Sequence, residues 1–175
     1  DEIHYARNVM KTNTTTVQTF VSINRGPAGV VNTGKIQWFE PMDRKVGPAT
    51  GFSVDALDKL PRVDVIYAHA NMSADLIDAA IKNGAKGLVI AGVGDGNMTT
   101  PALDAVTRAA KSGIVVVRST RLASGITLRN NEVNDDEKGL VASGELNPAK
   151  SRVLLQLALT KTNDPVQIQR MFYEY

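Results

Sequence analysis

Eleven residues, GLVIAGVGDGN from Gly87 to Asn97, set the frame for the whole chain. Leu88, Val89, Ile90 and Ala91 are an apolar run with no polar alternation, so a strand made from them has no face to give to solvent. Such strands belong to parallel sheets covered on both sides. The run passes into a loop with glycine at 92, 94 and 96, and beyond it Thr100-Pro101 reads as an N-cap and first helical position. The loop therefore joins the carboxyl end of a strand to the amino end of a helix, which is where open α/β sheets hold ligands. Asp95 and Asn97 are the polar side chains at that edge.

The same alternation continues on both sides of this stretch. Val63 to Tyr67 reads as a strand, and Ser73 as the N-cap of a helix whose Leu76, Ile77, Ala80 and Ile81 share one face before Gly84 stops it. A second helix is expected from Pro101 to Ser112, closed by Gly113, and a third buried strand from Ile114 to Val117. A polar connection of about twenty residues then leads to a short strand around Leu140 to Ala142, and its length makes it a candidate for function. Asn147-Pro148 and Asp164-Pro165 open two final helices, the first carrying the apolar row Val153, Leu154, Leu157 and Ala158. Residues 62–175 are thus expected to form an α/β domain, a small parallel sheet flanked by helices.

Upstream, residues 41–61 carry three prolines, two glycines and clustered charges, the composition of an interdomain linker. GVVNTGKIQWFE, 29–40, reads as a hairpin turning around Asn32, Thr33 and Gly34. A hairpin alone is marginal in water, so it is expected to edge a sheet whose other strands lie outside this chain. The threonine-rich start favours extended or turn structure over helix. The chain opens at Asp1 without methionine, and the first forty residues read as the end of something larger.

A net charge of +2 with 22% charged residues and no basic tract argues against nucleic acid as a partner. The absence of cysteine excludes disulfides, thiolate metal sites and cysteine nucleophiles from this stretch. His4 and His69 lack metal-ligand spacing, no apolar run reaches the length of a membrane span, and the start carries no signal-peptide pattern.

The glycine series invites a phosphate-loop reading, but no Gly-Lys-Ser/Thr follows, and Asn97 stands where a dinucleotide fingerprint needs glycine or alanine. A tight strand-to-helix turn with polar caps accounts for it as well as any site does. Lys11, beside Thr12–Thr16, fits best a solvated lysine on an edge strand. The alternative is a lysine of lowered pKa that activates a weak nucleophile. Glu132 in NNEVNDD is most simply one acid of a surface cluster, and His69 could line the same sheet edge.

ARNVMKTNTTT, AGVGDGN, VVVRSTR, NNEVNDD and LNPAKSRVLLQLALTKTNDP together resemble, in one register through the whole chain, the carboxyl-terminal half of a bacterial type II L-asparaginase. The resemblance implies a cofactor-free, homotetrameric, periplasmic amidohydrolase that converts asparagine, and often glutamine, to the acid and ammonia. Residues 1–40 then correspond to the last strands of an amino-terminal catalytic α/β domain. Lys11 is similar to the lysine that forms a triad with a threonine and an aspartate. Asn97 is similar to the asparagine ending the family's glycine loop. Glu132 is similar to the glutamate that holds the substrate's α-ammonium group across a subunit boundary. The family loop often reads G-N-G-N where this chain has Gly94, Asp95, Gly96 and Asn97, which adds a carboxylate at the site. The nucleophilic threonine, the lid and the Thr-Asp pair have no counterpart here, so this stretch alone is expected to be inactive. From another functional class, a small α/β module binding an amino acid or sugar also fits a polar-lipped glycine loop at a sheet edge.

Overall fold

The computed structural model describes residues 1–39, 41 and 43–175. Glu40, at the end of the expected hairpin, and Met42, in the expected linker, lie outside the described residues. The chain divides into two compact units. One is Asp1–Arg44 with Ala123–Gly125, and the other is Lys45–Leu122 with Ile126–Tyr175.

The first unit is built of short antiparallel strands: β1 (Glu2–Ile3), β2 (Met10–Lys11), β3 (Phe20–Val21), β4 (Gly29–Asn32) and β5 (Lys35–Trp38). β4 and β5 form the expected hairpin, with Asn32 opposite Lys35 and a two-residue turn in which Thr33 and Gly34 both have positive φ, 49° and 75°. That turn twists in the sense of the strands it joins. β1 pairs with β4, so the sheet order is β1-β4-β5. β2 and β3 pair separately, Lys11 opposite Phe20. The threonines between them fold a loop held by its own side chains. Asn13 Oδ1 accepts the amides of Thr15 and Thr16, and the Thr19 hydroxyl donates to Asn13 O at 2.7 Å. Asn24 accepts from and donates to the backbone of Gly125, at 2.9 Å each way.

In the second unit a 3₁₀ turn at Gly47–Thr50 precedes the sheet, and Phe52 meets the Tyr175 ring edge-on at 5.2 Å. Then come β6 (Val63–Tyr67), α1 (Asp75–Lys82), β7 (Gly87–Gly92), α2 (Thr100–Lys111), β8 (Val115–Thr120), the one-turn α3 (Asp135–Lys138), β9 (Val141–Ala142), α4 (Pro148–Ala158) and α5 (Pro165–Glu174). The four strands are parallel in the order β6-β7-β8-β9, the simplest topology for successive crossovers. The residues of β7 are all buried, and their alternation feeds two cores. Leu88 and Ile90 pack with Val116 against Ile77 and Ala80 of α1 and Ala102, Ala105 and Val106 of α2. Val89 packs on the opposite face with Val117 and Val141 against Leu154 and Leu155 of α4 and Ile168 and Phe172 of α5. This is the doubly covered parallel sheet that the unbroken apolar run requires.

Asn147 and Asp164 cap α4 and α5 as expected, accepting the amides of Lys150 and Val166 at 3.0 Å each. Two other starts differ. α1 begins at Asp75 after Ala74, because Ser73 Oγ reaches the Asp75 amide only at 3.4 Å. The N-cap of α2 is Thr99 rather than Thr100, and its hydroxyl donates to Met72 O at 2.6 Å instead of capping the helix. β8 extends past Val117 through Arg118, Ser119 and Thr120, all buried, because their polar groups are satisfied inside. Ser119, for example, donates to Leu146 O at 2.9 Å. The edge strand β9 is closed by a side chain. Gln169 of α5 accepts from Ala142 N at 2.8 Å and donates to Ala142 O at 3.1 Å, as a neighbouring strand would.

Candidate functional site

Beyond Gly92 the chain closes a tight loop. Val93 and Asn97 exchange both backbone hydrogen bonds, at 2.8 and 2.7 Å, with Gly94, Asp95 and Gly96 at the tip. Gly96 has φ +77°, and a Cβ there would lie 2.9 Å from Thr127 Cγ2 and 3.0 Å from Arg118 Nη1. Gly92 is needed for space, since its Cβ would stand 2.4 Å from the Gly96 carbonyl carbon, backbone against backbone. Gly92→Ala is accordingly expected to destabilise the protein by about 1–3 kcal/mol, read as a lower Tm in thermal unfolding.

Arg118 holds this turn from beneath. It is fully buried on β8, and each of its nitrogens has an acceptor. Nε donates to Asp135 Oδ1 at 2.6 Å, while Nη2 donates to Asp135 Oδ2 at 2.8 Å and to Leu128 O at 3.1 Å. Nη1 donates to Asp95 O at 2.9 Å and Gly96 O at 3.4 Å. The guanidinium fork thus matches the bidentate carboxylate and reaches carbonyls from two separate loops. Asp135 Oδ2 also accepts the amide of Asn130, which adopts φ 55°.

Asp95 faces the same long connection. Its Oδ1 accepts from Leu128 N and its Oδ2 from Asn131 Nδ2, both at 2.7 Å. Next to Asn131 stands Glu132, exposed, and its Oε2 accepts from Asn97 Nδ2 at 2.9 Å. Val133 then enters the core, and Asn134 caps α3 through the Glu137 amide at 3.1 Å. Glu132 is therefore held on both sides by anchored residues. Nearby, hydrogen bonds from Asn130 and Arg129 keep the exposed Asp136 carboxyl below its ordinary pKa.

Two of the three site residues expected from sequence, Asn97 and Glu132, meet although 35 residues separate them. Lys11 stands in the first unit, exposed on β2 with its ammonium 5.5 Å from the Phe20 ring centroid. His69 is exposed, with its ring nitrogen 2.8 Å from Ala70 O. Among the described residues, no group of three His, Cys, Asp or Glu side chains is placed to hold a metal ion. Sequence reasoning did not assign Arg118 or Asp135 a role. Their signal was an arginine directly after three buried valines, which demands a carboxylate from elsewhere in the chain. Chemically, a Glu132 carboxylate oriented by an amide can still accept from an ammonium ligand.

Residues 62–172 match the glutaminase/asparaginase C-terminal domain, a span holding all four parallel strands and the Asn97–Glu132 pair. The chain belongs to the glutaminase/asparaginase family. It is 47% identical over 175 residues to L-asparaginase 2 of Escherichia coli, covering 100% of this chain and 50% of that protein. A probable periplasmic L-asparaginase of Haemophilus influenzae is 46% identical with the same coverage. A glutaminase-asparaginase of Acinetobacter glutaminasificans is 39% identical over 178 residues, covering 100% of this chain and 54% of that protein. The chain spans about half the length of these curated relatives. The asparaginase resemblance carried by AGVGDGN and NNEVNDD therefore coincides with a family match over the second unit's sheet and helices.

Proposed function

We propose that this chain is the carboxyl-terminal half of an L-asparaginase that hydrolyses the side-chain amide of asparagine, with glutamine as a second candidate substrate. The observation that carries the proposal is the 2.9 Å bond between Asn97 and Glu132 at the carboxyl edge of a parallel sheet. Glu132 receives the substrate's α-ammonium group, and Asn97 sets the orientation of its carboxylate. A threonine hydroxyl from the remainder of the protein attacks the amide carbon, and Lys11 with a partner carboxylate takes the hydroxyl proton. Oriented amides hold the oxyanion, ammonia leaves with the proton returned to it, and water then cleaves the acyl-enzyme ester to aspartate.

On this reading residues 1–40 are the end of the catalytic domain, and 41–61 link it to the carboxyl-terminal domain. Ile36 and Trp38 of β5 are 59% and 58% exposed, an apolar edge suited to cover by the rest of such a domain. The active sites are shared between subunits of a homotetramer, with Asn97 and Glu132 serving a neighbour. The name of the Haemophilus relative supports a periplasmic location.

The full-length protein is expected to release ammonia from asparagine. Glu132→Ala should raise KM about tenfold or more, the loss of one charge-assisted contact, with kcat much less affected. Mixing Glu132→Ala subunits with subunits lacking the nucleophile should restore a fraction of the sites. A wild-type protein that binds asparagine saturably and forms no product would overturn the proposal.

A further inference from the structure

We infer that Asp95 is a positioning residue: its carboxylate docks the loop bearing Glu132 onto the glycine turn bearing Asn97, and so sets the affinity for the ammonium end of the substrate. The inference rests on the proposed amidohydrolase function for its kinetic consequence and on geometry for the rest. Asn97 is fixed by its own turn through the paired bonds with Val93. Glu132 sits between Asn131 and the core residue Val133, in a stretch where residues 121–134 form no helix or strand beyond the single bridge of Thr127 to Gly144. What holds them to the turn is polar. Leu128 is gripped at both backbone groups, its N–H by Asp95 at 2.7 Å and its carbonyl by Arg118 at 3.1 Å. Asn131, the residue before Glu132, is gripped by the other oxygen of Asp95 at 2.7 Å.

Both partners are donors, which an ionised carboxylate suits because it accepts at each oxygen. The distances are those of charge-assisted bonds. The extra carboxylate of this glycine loop is thus bonded on both oxygens within the chain. Asparagine at position 95 can replace it, accepting from Leu128 N and donating to a flipped Asn131 amide. Alanine cannot.

The test uses the full-length protein. Asp95→Ala should raise KM for asparagine about tenfold, the equivalent of one such bond, and weaken competitive inhibition by L-aspartate to the same degree. Inhibition by succinate, which lacks the ammonium group, should not change, and kcat should stay within about twofold. Asp95→Asn should restore KM. Unchanged KM and aspartate inhibition in Asp95→Ala would overturn the inference. So would equal weakening of both inhibitors, or failure of Asp95→Asn to restore KM. If the wild-type protein released no ammonia, the functional proposal would fall and crystal structures would decide the positioning claim. Asn97 and Glu132 outside hydrogen-bonding distance in Asp95→Ala sustain it, and an unmoved pair overturns it.

Discussion

Replacement of Lys11 by methionine in the full-length protein is expected to lower kcat for asparagine by about a thousandfold, with KM and Tm close to wild type. A threonine hydroxyl holds its proton far above neutral pH, so the attacking group needs a base within reach in the transition state. A lysine serves as that base only in its neutral amine form. The local structure predicts little cost from the change itself. Lys11 lies on a two-residue strand, pairs with Phe20 through the backbone, and points an exposed side chain over that ring. Methionine keeps the stem and forfeits a surface cation–π contact of about 0.5–1 kcal/mol. Lys11→Arg refines the result, since it keeps the charge and cannot be deprotonated. It should be as inactive as methionine, and an active arginine variant would recast Lys11 as a fixed positive charge. Full turnover by Lys11→Met would remove Lys11 from the mechanism.

Where the sequence was legible, the signal was local. The run at 88–91 has no polar break, so it had to be covered on both faces, and Leu88 and Val89 enter opposite cores. Asn147 and Asp164 stand directly before prolines, and both cap their helices. The turn at Thr33–Gly34 needed only positive φ. Local rules failed where a side chain found a distant partner. Thr99 takes the cap position expected for Thr100, yet its hydroxyl donates to Met72 O, 27 residues away, and leaves the helix without a side-chain cap. β8 ran past Val117 because Arg118 found Asp135, and Asp95 reads as a site carboxylate until Leu128 and Asn131 are brought to it. The strand–loop–helix pattern placed Asn97 at the sheet edge, but its association with Glu132 came from family resemblance, since neither spacing nor periodicity ties residues 35 positions apart. The polar site is assembled by tertiary contacts that hydrophobic patterning does not encode.

Those contacts converge on Arg118, and removing it is expected to have the largest effect on stability in the chain. Arg118→Met keeps the stem of the side chain but leaves the fully buried Asp135 carboxylate without its counter-charge, at a cost of about 3–5 kcal/mol. Such a loss is a large share of the roughly 5–15 kcal/mol that holds a typical domain folded. Buried ion pairs are nevertheless poor stabilisers in themselves, and replacing both partners with apolar groups is often neutral. The double variant Arg118→Met/Asp135→Leu therefore separates two roles. Were Arg118 only a counter-ion, the double variant would regain wild-type stability. The geometry assigns it more, because it also satisfies the carbonyls of Asp95, Gly96 and Leu128, while Asp135 accepts the Asn130 amide. Those groups remain in the double variant and keep a penalty of about 1–3 kcal/mol for each that stays buried and unpaired. The double variant is expected to recover part of the loss in thermal unfolding and no more. Recovery to wild-type Tm would mean that the glycine turn and the Glu132 loop hold together without the arginine between them.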